Sequence, residues 1–160
     1  MANSVFSENQ PKVVVVGIGN TLLKDEGIGV HIANTLQEIA PLDSNLEIID
    51  GGTSPDVFLN LKDIEKLIIV DAAEGSGEPG TLYRYDPESL FNDSSLLTSI
   101  HQVGIPQSLK LMDHYGIKPK QIIVYGIQPK DIDWGLEPSD ELKQKIPEIV
   151  KIILKEVKAG

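Results

Sequence analysis

The clearest signal in the chain is a change of hydrophobic period. Val13–Ile18 is a continuous run, β-branched except at Gly17, the pattern of a strand covered on both faces. From Gly27 to Ile39 the apolar positions become Ile28, Ile32, Leu36 and Ile39, which is helical spacing. Leu46–Ile49 reads as a second short strand. Ser54-Pro55-Asp56 reads as a helix start, with Ser54 as N-cap and Pro55 at the first helical position. Lys66–Val70 is a third strand.

This β-α-β-α-β order predicts a parallel sheet with right-handed crossovers. The next link, Ala72–Gly80, holds Gly75, Gly77, Pro79 and Gly80 and is too short for a crossover helix, so Thr81–Tyr85 should run antiparallel. Asp86–Ile100 is less regular, with room for a short helix. Pro106–Tyr115 reads as a helix closed by Gly116, and Gln121–Tyr125 as the fifth strand. Ser139 can cap the last helix, with Asp140 and Glu141 in its first turn. Pro147 should kink or split that helix before Val157. The expected fold is α/β: a single domain over residues 12–157, with a mixed, mostly parallel, five-stranded twisted sheet and helices on both faces. Residues 1–11 are expected to form a flexible N-terminal segment.

Composition narrows the function. With 160 residues, 41% of them hydrophobic, one core can form. The formal net charge of −10 argues against nucleic acid or an anionic membrane surface as partner. There is no cysteine, hence no disulfide, thiolate ligand or cysteine nucleophile. That suits a reducing cytoplasm. Residues 1–10 lack the charged and apolar regions of a secretory signal, and no apolar run reaches the length of a membrane span.

In open α/β sheets, ligands bind beyond the carboxyl ends of the strands. Here those ends are acidic. The first strand leads to Asp25 and Glu26, the second to Asp50, the third to Asp71. Each alone is an ordinary turn or cap residue. On one rim they would repel one another unless a proton or cation relieved them. A lone His such as His101 is more often packing or surface than ligand, and gains weight only if its loop folds over that rim. Two carboxylates and an imidazole would suit nickel, zinc or manganese. His31 and His114 fall within predicted helices and read as structural. The chain lacks a His-Glu-x-x-His helix, a Gly-x-Ser-x-Gly elbow and a Walker loop, and Leu22 stands where a dinucleotide fingerprint needs its third glycine.

The stretch Gly17-Ile18-Gly19-Asn20-Thr21-Leu22-Leu23-Lys24-Asp25-Glu26-Gly27-Ile28-Gly29-Val30 resembles the N-terminal motif of the hydrogenase maturation endopeptidases. Asp50-Gly51-Gly52-Thr53, Val70-Asp71-Ala72, Pro79-Gly80-Thr81, Ser99–Gly104 around His101, and Gly126-Ile127-Gln128-Pro129 follow in that family's order. Each motif is loose, but the ordered set, over roughly residues 12–157, is specific. The resemblance implies a metal-dependent cytoplasmic endopeptidase, monomeric when free. It would remove the C-terminal extension of the nickel–iron hydrogenase large-subunit precursor after nickel insertion. It implies Glu26, Asp71 and His101 as nickel-recognising ligands, with the nickel supplied by the bound precursor. The group that activates water is left open by the motif, with Asp50 and Asp25 as candidates by position. The alternative is a non-catalytic hydrogenase-associated or metal-checking subunit of the same fold.

Overall fold

Every residue of β1 (Val13–Ile18) is buried, as expected of a central strand with both faces covered. The computed structural model describes residues 12–41, 45–88 and 105–159. After β1 come a 3-10 turn (Lys24–Gly27), α1 (Ile28–Ile39), β2 (Leu46–Gly52), a 3-10 segment (Pro55–Asn60), β3 (Lys66–Ala72), β4 (Leu82–Tyr85), α2 (Ile105–His114), β5 (Gln121–Ile127) and α3 (Asp140–Lys158). The sheet order is β2-β1-β3-β5-β4, parallel except for the β4–β5 pair. This is the mixed five-stranded α/β fold that the periodicity predicts, including the antiparallel edge. Residues 1–11 and most of Asp86–Ile100 lie outside the described residues.

Strand alternation divides the core. Val14, Val16, Leu67, Ile69 and Val124 face one way, against Phe58, Ile105, Leu109 and Met112. Val13, Val15, Ile68, Val70 and Ile123 face the other way, against Ile28, Ile32 and Leu36 of α1 and Leu142, Ile149, Val150 and Ile153 of α3. α1 lies unusually close to the sheet. A Cβ on Gly17 would sit 2.1 Å from the Gly29 carbonyl oxygen, and one on Gly29 would sit 2.2 Å from that of Val70. Glycine at both positions lets helix backbone touch strand backbone, which seats the start of α1 at the carboxyl end of β1.

Three local expectations are corrected. The segment after Ser54 is a 3-10 helix rather than an α-helix, and Ser54 makes no side-chain cap bond. Ser139 precedes α3 but does not cap it, because its hydroxyl donates to Asp25 instead. α3 continues unbroken through Pro147. Leu142 before the proline and Ile149, Val150 and Ile153 after it are all buried, so packing on both sides offsets the missing N–H. The far end of α3 is tied down by Lys66, whose buried ammonium donates to the Glu156 and Ala159 carbonyls at 2.7 and 2.6 Å.

Candidate active site

The chain leaves β1 through Gly19, whose φ of 146° and approach to the Glu26 carbonyl (2.1 Å from a notional Cβ) exclude a side chain. Asn20 Oδ1 then accepts from the Leu22 amide, tightening the turn that delivers Glu26. β1 is flanked by β2 on one side and β3 on the other, so the connections diverge there and a crevice opens at the carboxyl rim. A cleft of about 540 Å³ fills that position. Asn20 and Glu26 line it from the first strand end, Thr53 from the second, Asp71 and Glu74 from the third, and Pro129 and Ile132 from the fifth.

Of the expected ligands, Glu26 and Asp71 share this cleft. Burial holds the Asp71 carboxyl well above the usual carboxylate range; the Ala72 amide, 2.8 Å from Oδ1, opposes this and the Glu26 charge adds to it. Burial also raises half-buried Glu26. Both carboxylates are therefore under pressure to gain a proton or a cation. Among the described residues no group of three His, Cys, Asp or Glu could by itself hold a metal. His101 lies outside the described residues. As donors, Glu26 and Asp71 fit one side of a divalent transition-metal centre that brings further ligands with it.

The two positional candidates for water activation lie elsewhere. Asp25 is fully buried. Its Oδ2 accepts from the Lys130 and Asp131 amides at 2.9 and 2.8 Å and from the Ser139 hydroxyl at 2.7 Å; its Oδ1 accepts from the Ser139 amide at 2.6 Å. Burial alone would raise its pKa, but these hydrogen bonds together outweigh it and lower the value. Three of these bonds fall on Oδ2 and one on Oδ1, so most of the acceptor capacity of the carboxylate is taken. Asp25 thus locks the β1 and β5 loops together, and its lowered pKa makes it a weaker base than a free carboxylate. Asp50 is exposed, is not among the residues lining the cleft, and accepts from the Gly52 amide at 3.1 Å, so it caps its own turn.

Sequence reasoning gave no role to Glu74 or Gln128. Gln128, 5% exposed, accepts from the Gly75 amide and the Tyr83 hydroxyl through Oε1, each at 2.7 Å, and donates through Nε2 to Glu74 at 2.8 Å. The Tyr83 hydroxyl in turn accepts from the Gly77 amide. This network fixes the strand-three loop and carries Glu74 to the cleft. The sequence hint was Gln128 itself, a polar residue directly after an apolar strand and part of the Gly126-Ile127-Gln128-Pro129 motif.

A family model described as hydrogenase maturation protease matches residues 30–156. The chain belongs to the hydrogenase maturation protease family. A putative hydrogenase maturation protease of Methanocaldococcus jannaschii is 34% identical over 154 residues, covering 91% of this chain and 96% of the relative. A hydrogenase subunit delta of Methanothermobacter thermautotrophicus is 31% identical over 157 residues, covering 91% and 94%. The solved structure of the hydrogenase maturating endopeptidase HybD from E. coli superposes with a TM-score of 0.79, at 28% identity and 92% coverage of both chains. The family relationship and the shared fold support a protease.

Proposed function

We propose that this maturation protease removes the C-terminal extension of a nickel-loaded nickel–iron hydrogenase large-subunit precursor, and that the nickel belongs to the substrate. The observation that carries this reading is the Glu26–Asp71 pair. Two carboxylates share one cleft, both are raised by burial, and Asp71 is raised further by its neighbour. A cation arriving on the precursor would relieve both, so recognition of the loaded state follows from electrostatics. Glu26 and Asp71 would bind the metal-bearing end of the precursor, with His101 proposed as the third ligand. Asp25 anchors the turn that presents Glu26, and Gln128 holds the loop that carries Glu74. The cysteine-free sequence suits action in a reducing cytoplasm.

A second reading has one observation in its favour: a relative of nearly equal length is named as a hydrogenase subunit. The protein would then bind the hydrogenase without cutting it. Mass spectrometry of nickel-loaded and nickel-free precursor, each mixed with the protein, separates the two. Shortening of the loaded form alone is expected. A stable complex without shortening would establish the second reading, and equal cutting of nickel-free precursor would remove nickel from the first.

A further inference from the structure

Seven large hydrophobic side chains are exposed among the described residues, and four of them, Leu22, Ile132, Trp134 and Leu136, come from just two segments. Those segments are stitched together. Leu23 bridges Gly135, the Gly135 amide donates to the Leu22 carbonyl at 2.9 Å, the Lys24 amide donates to the Gly135 carbonyl at 2.9 Å, and the Asp25 amide donates to the Asp131 carbonyl at 2.9 Å. The Asp25 carboxylate pins both ends of the second segment, at Lys130–Asp131 and at Ser139. Trp134 stands 77% exposed and Leu136 68% exposed on loops held this firmly. A clustered apolar surface fixed in the folded state marks a binding surface, and a rigid tryptophan is a common interface anchor.

We infer that Leu22, Ile132, Trp134 and Leu136 form the docking surface for the hydrogenase large-subunit precursor, seating an apolar segment flanked by basic residues. The inference rests on the processing reading above. The patch runs straight into the cleft: Ile132 lines the cleft, as does Leu23 beside Leu22. The surface therefore adjoins the cleft that a polypeptide end would enter. Asp131 and Asp133 interleave with the apolar positions on a chain of net charge −10, which favours basic residues beside the apolar segment, while Glu137 is already paired with Lys143 at 3.2 Å. The patch adds affinity outside the cleft and takes no part in bond cleavage.

Trp134 is the sole tryptophan, so protein labelled with 5-fluorotryptophan gives a single fluorine resonance from the centre of the patch. Addition of nickel-loaded precursor should shift or broaden it. Trp134→Ser and Leu136→Ser should raise KM for the precursor about tenfold or more while leaving kcat within about twofold. Ile39→Ser, which removes another exposed hydrophobic side chain, at the far end of α1, should change neither. Unchanged KM in both patch variants, with wild-type cleavage intact, overturns the docking surface and leaves the processing reading standing. If wild-type protein captures the precursor without cutting it, the processing reading fails, and the same variants' loss of capture still supports the surface. A concentration-dependent shift of the resonance in the protein alone, matched by self-association, assigns the patch to a second copy and overturns the inference. Wild-type protein that neither captures nor cuts the precursor overturns both.

Discussion

The Ser139 amide donates to Oδ1 of Asp25 at 2.6 Å, joining positions 114 residues apart. With the Ser139 hydroxyl and the Lys130 and Asp131 amides, it makes one buried carboxylate the fastener between the loop that delivers Glu26 and the loop that closes the cleft. Asp25→Asn keeps the shape but turns one acceptor into a donor facing donors. The expected cost is about 3–5 kcal/mol in urea unfolding, the scale for breaking a buried charged network. The acid limb should change too. Hydrogen bonding lowers the folded pKa of Asp25, so the unfolded chain binds more protons there. Its contribution to stability is complete above the unfolded value of about 3.9 and is lost as pH falls through the folded value. The variant should lack that component. Wild-type stability at every pH would return Asp25 to the list of groups free for chemistry.

Gln128 should act more locally. Gln128→Leu leaves the Gly75 amide and Tyr83 hydroxyl without their partner and releases Glu74 from Nε2. Global stability should fall by about 1–3 kcal/mol. The sharper readout is hydrogen exchange. The Gly75 amide should exchange about tenfold or more faster than in wild type, while β1 amides slow or quicken only with global stability. Unchanged exchange at Gly75 would mean that the loop is held by something other than Gln128.

The strands, their directions and the Glu26–Asp71 part of the acidic rim were legible because each rests on a local pattern: β-branched runs, helical spacing, and a link too short for a crossover. What failed was side-chain assignment within the loops. Ser139 satisfies every rule for an N-cap, yet its hydroxyl goes to Asp25. The competing acceptor sits far away in sequence, and no local rule sees it. Asp25 and Glu26 are adjacent in the chain and equally acidic, but one turns into the β5 loop and the other into the cleft. That choice is made by the 3-10 turn and by contacts with residues 130–139, which periodicity does not report. Pro147 is the opposite case, where buried neighbours on both sides keep one helix running through a residue that could have split it.

Asp50→Asn separates capping from catalysis. Asn can accept from the Gly52 amide as Asp50 does at 3.1 Å. The variant should cleave precursor within about twofold of wild type. A general base replaced in this way would instead slow single-turnover cleavage about 10²-fold or more. Such a loss would mean that substrate binding draws Asp50 out of its turn.

Asp71 should show stability and function pulling apart. Burial raises its folded pKa well above the ordinary value, with the Glu26 charge adding to the shift. The folded chain therefore binds more protons at this site than the unfolded chain, and stability declines as pH rises from the unfolded value of about 3.9 through the raised folded value. Asp71→Asn has no such titration and can still accept from the Ala72 amide. At neutral pH it should be more stable than wild type by on the order of 0.5–2 kcal/mol, the range for relieving a strained functional position. The decline across that pH window should vanish. Processing should fall by about tenfold or more, because the variant lacks the charge that the incoming cation relieves. Glu26→Gln gives the companion test: it removes one source of pressure on Asp71, so the decline should persist but shift toward lower pH. Urea unfolding from pH 4 to 8 on both variants, beside cleavage of loaded precursor, checks each part. An Asp71→Asn protein less stable than wild type at pH 7, with processing intact, would show that Asp71 is a structural residue and not part of the recognition site.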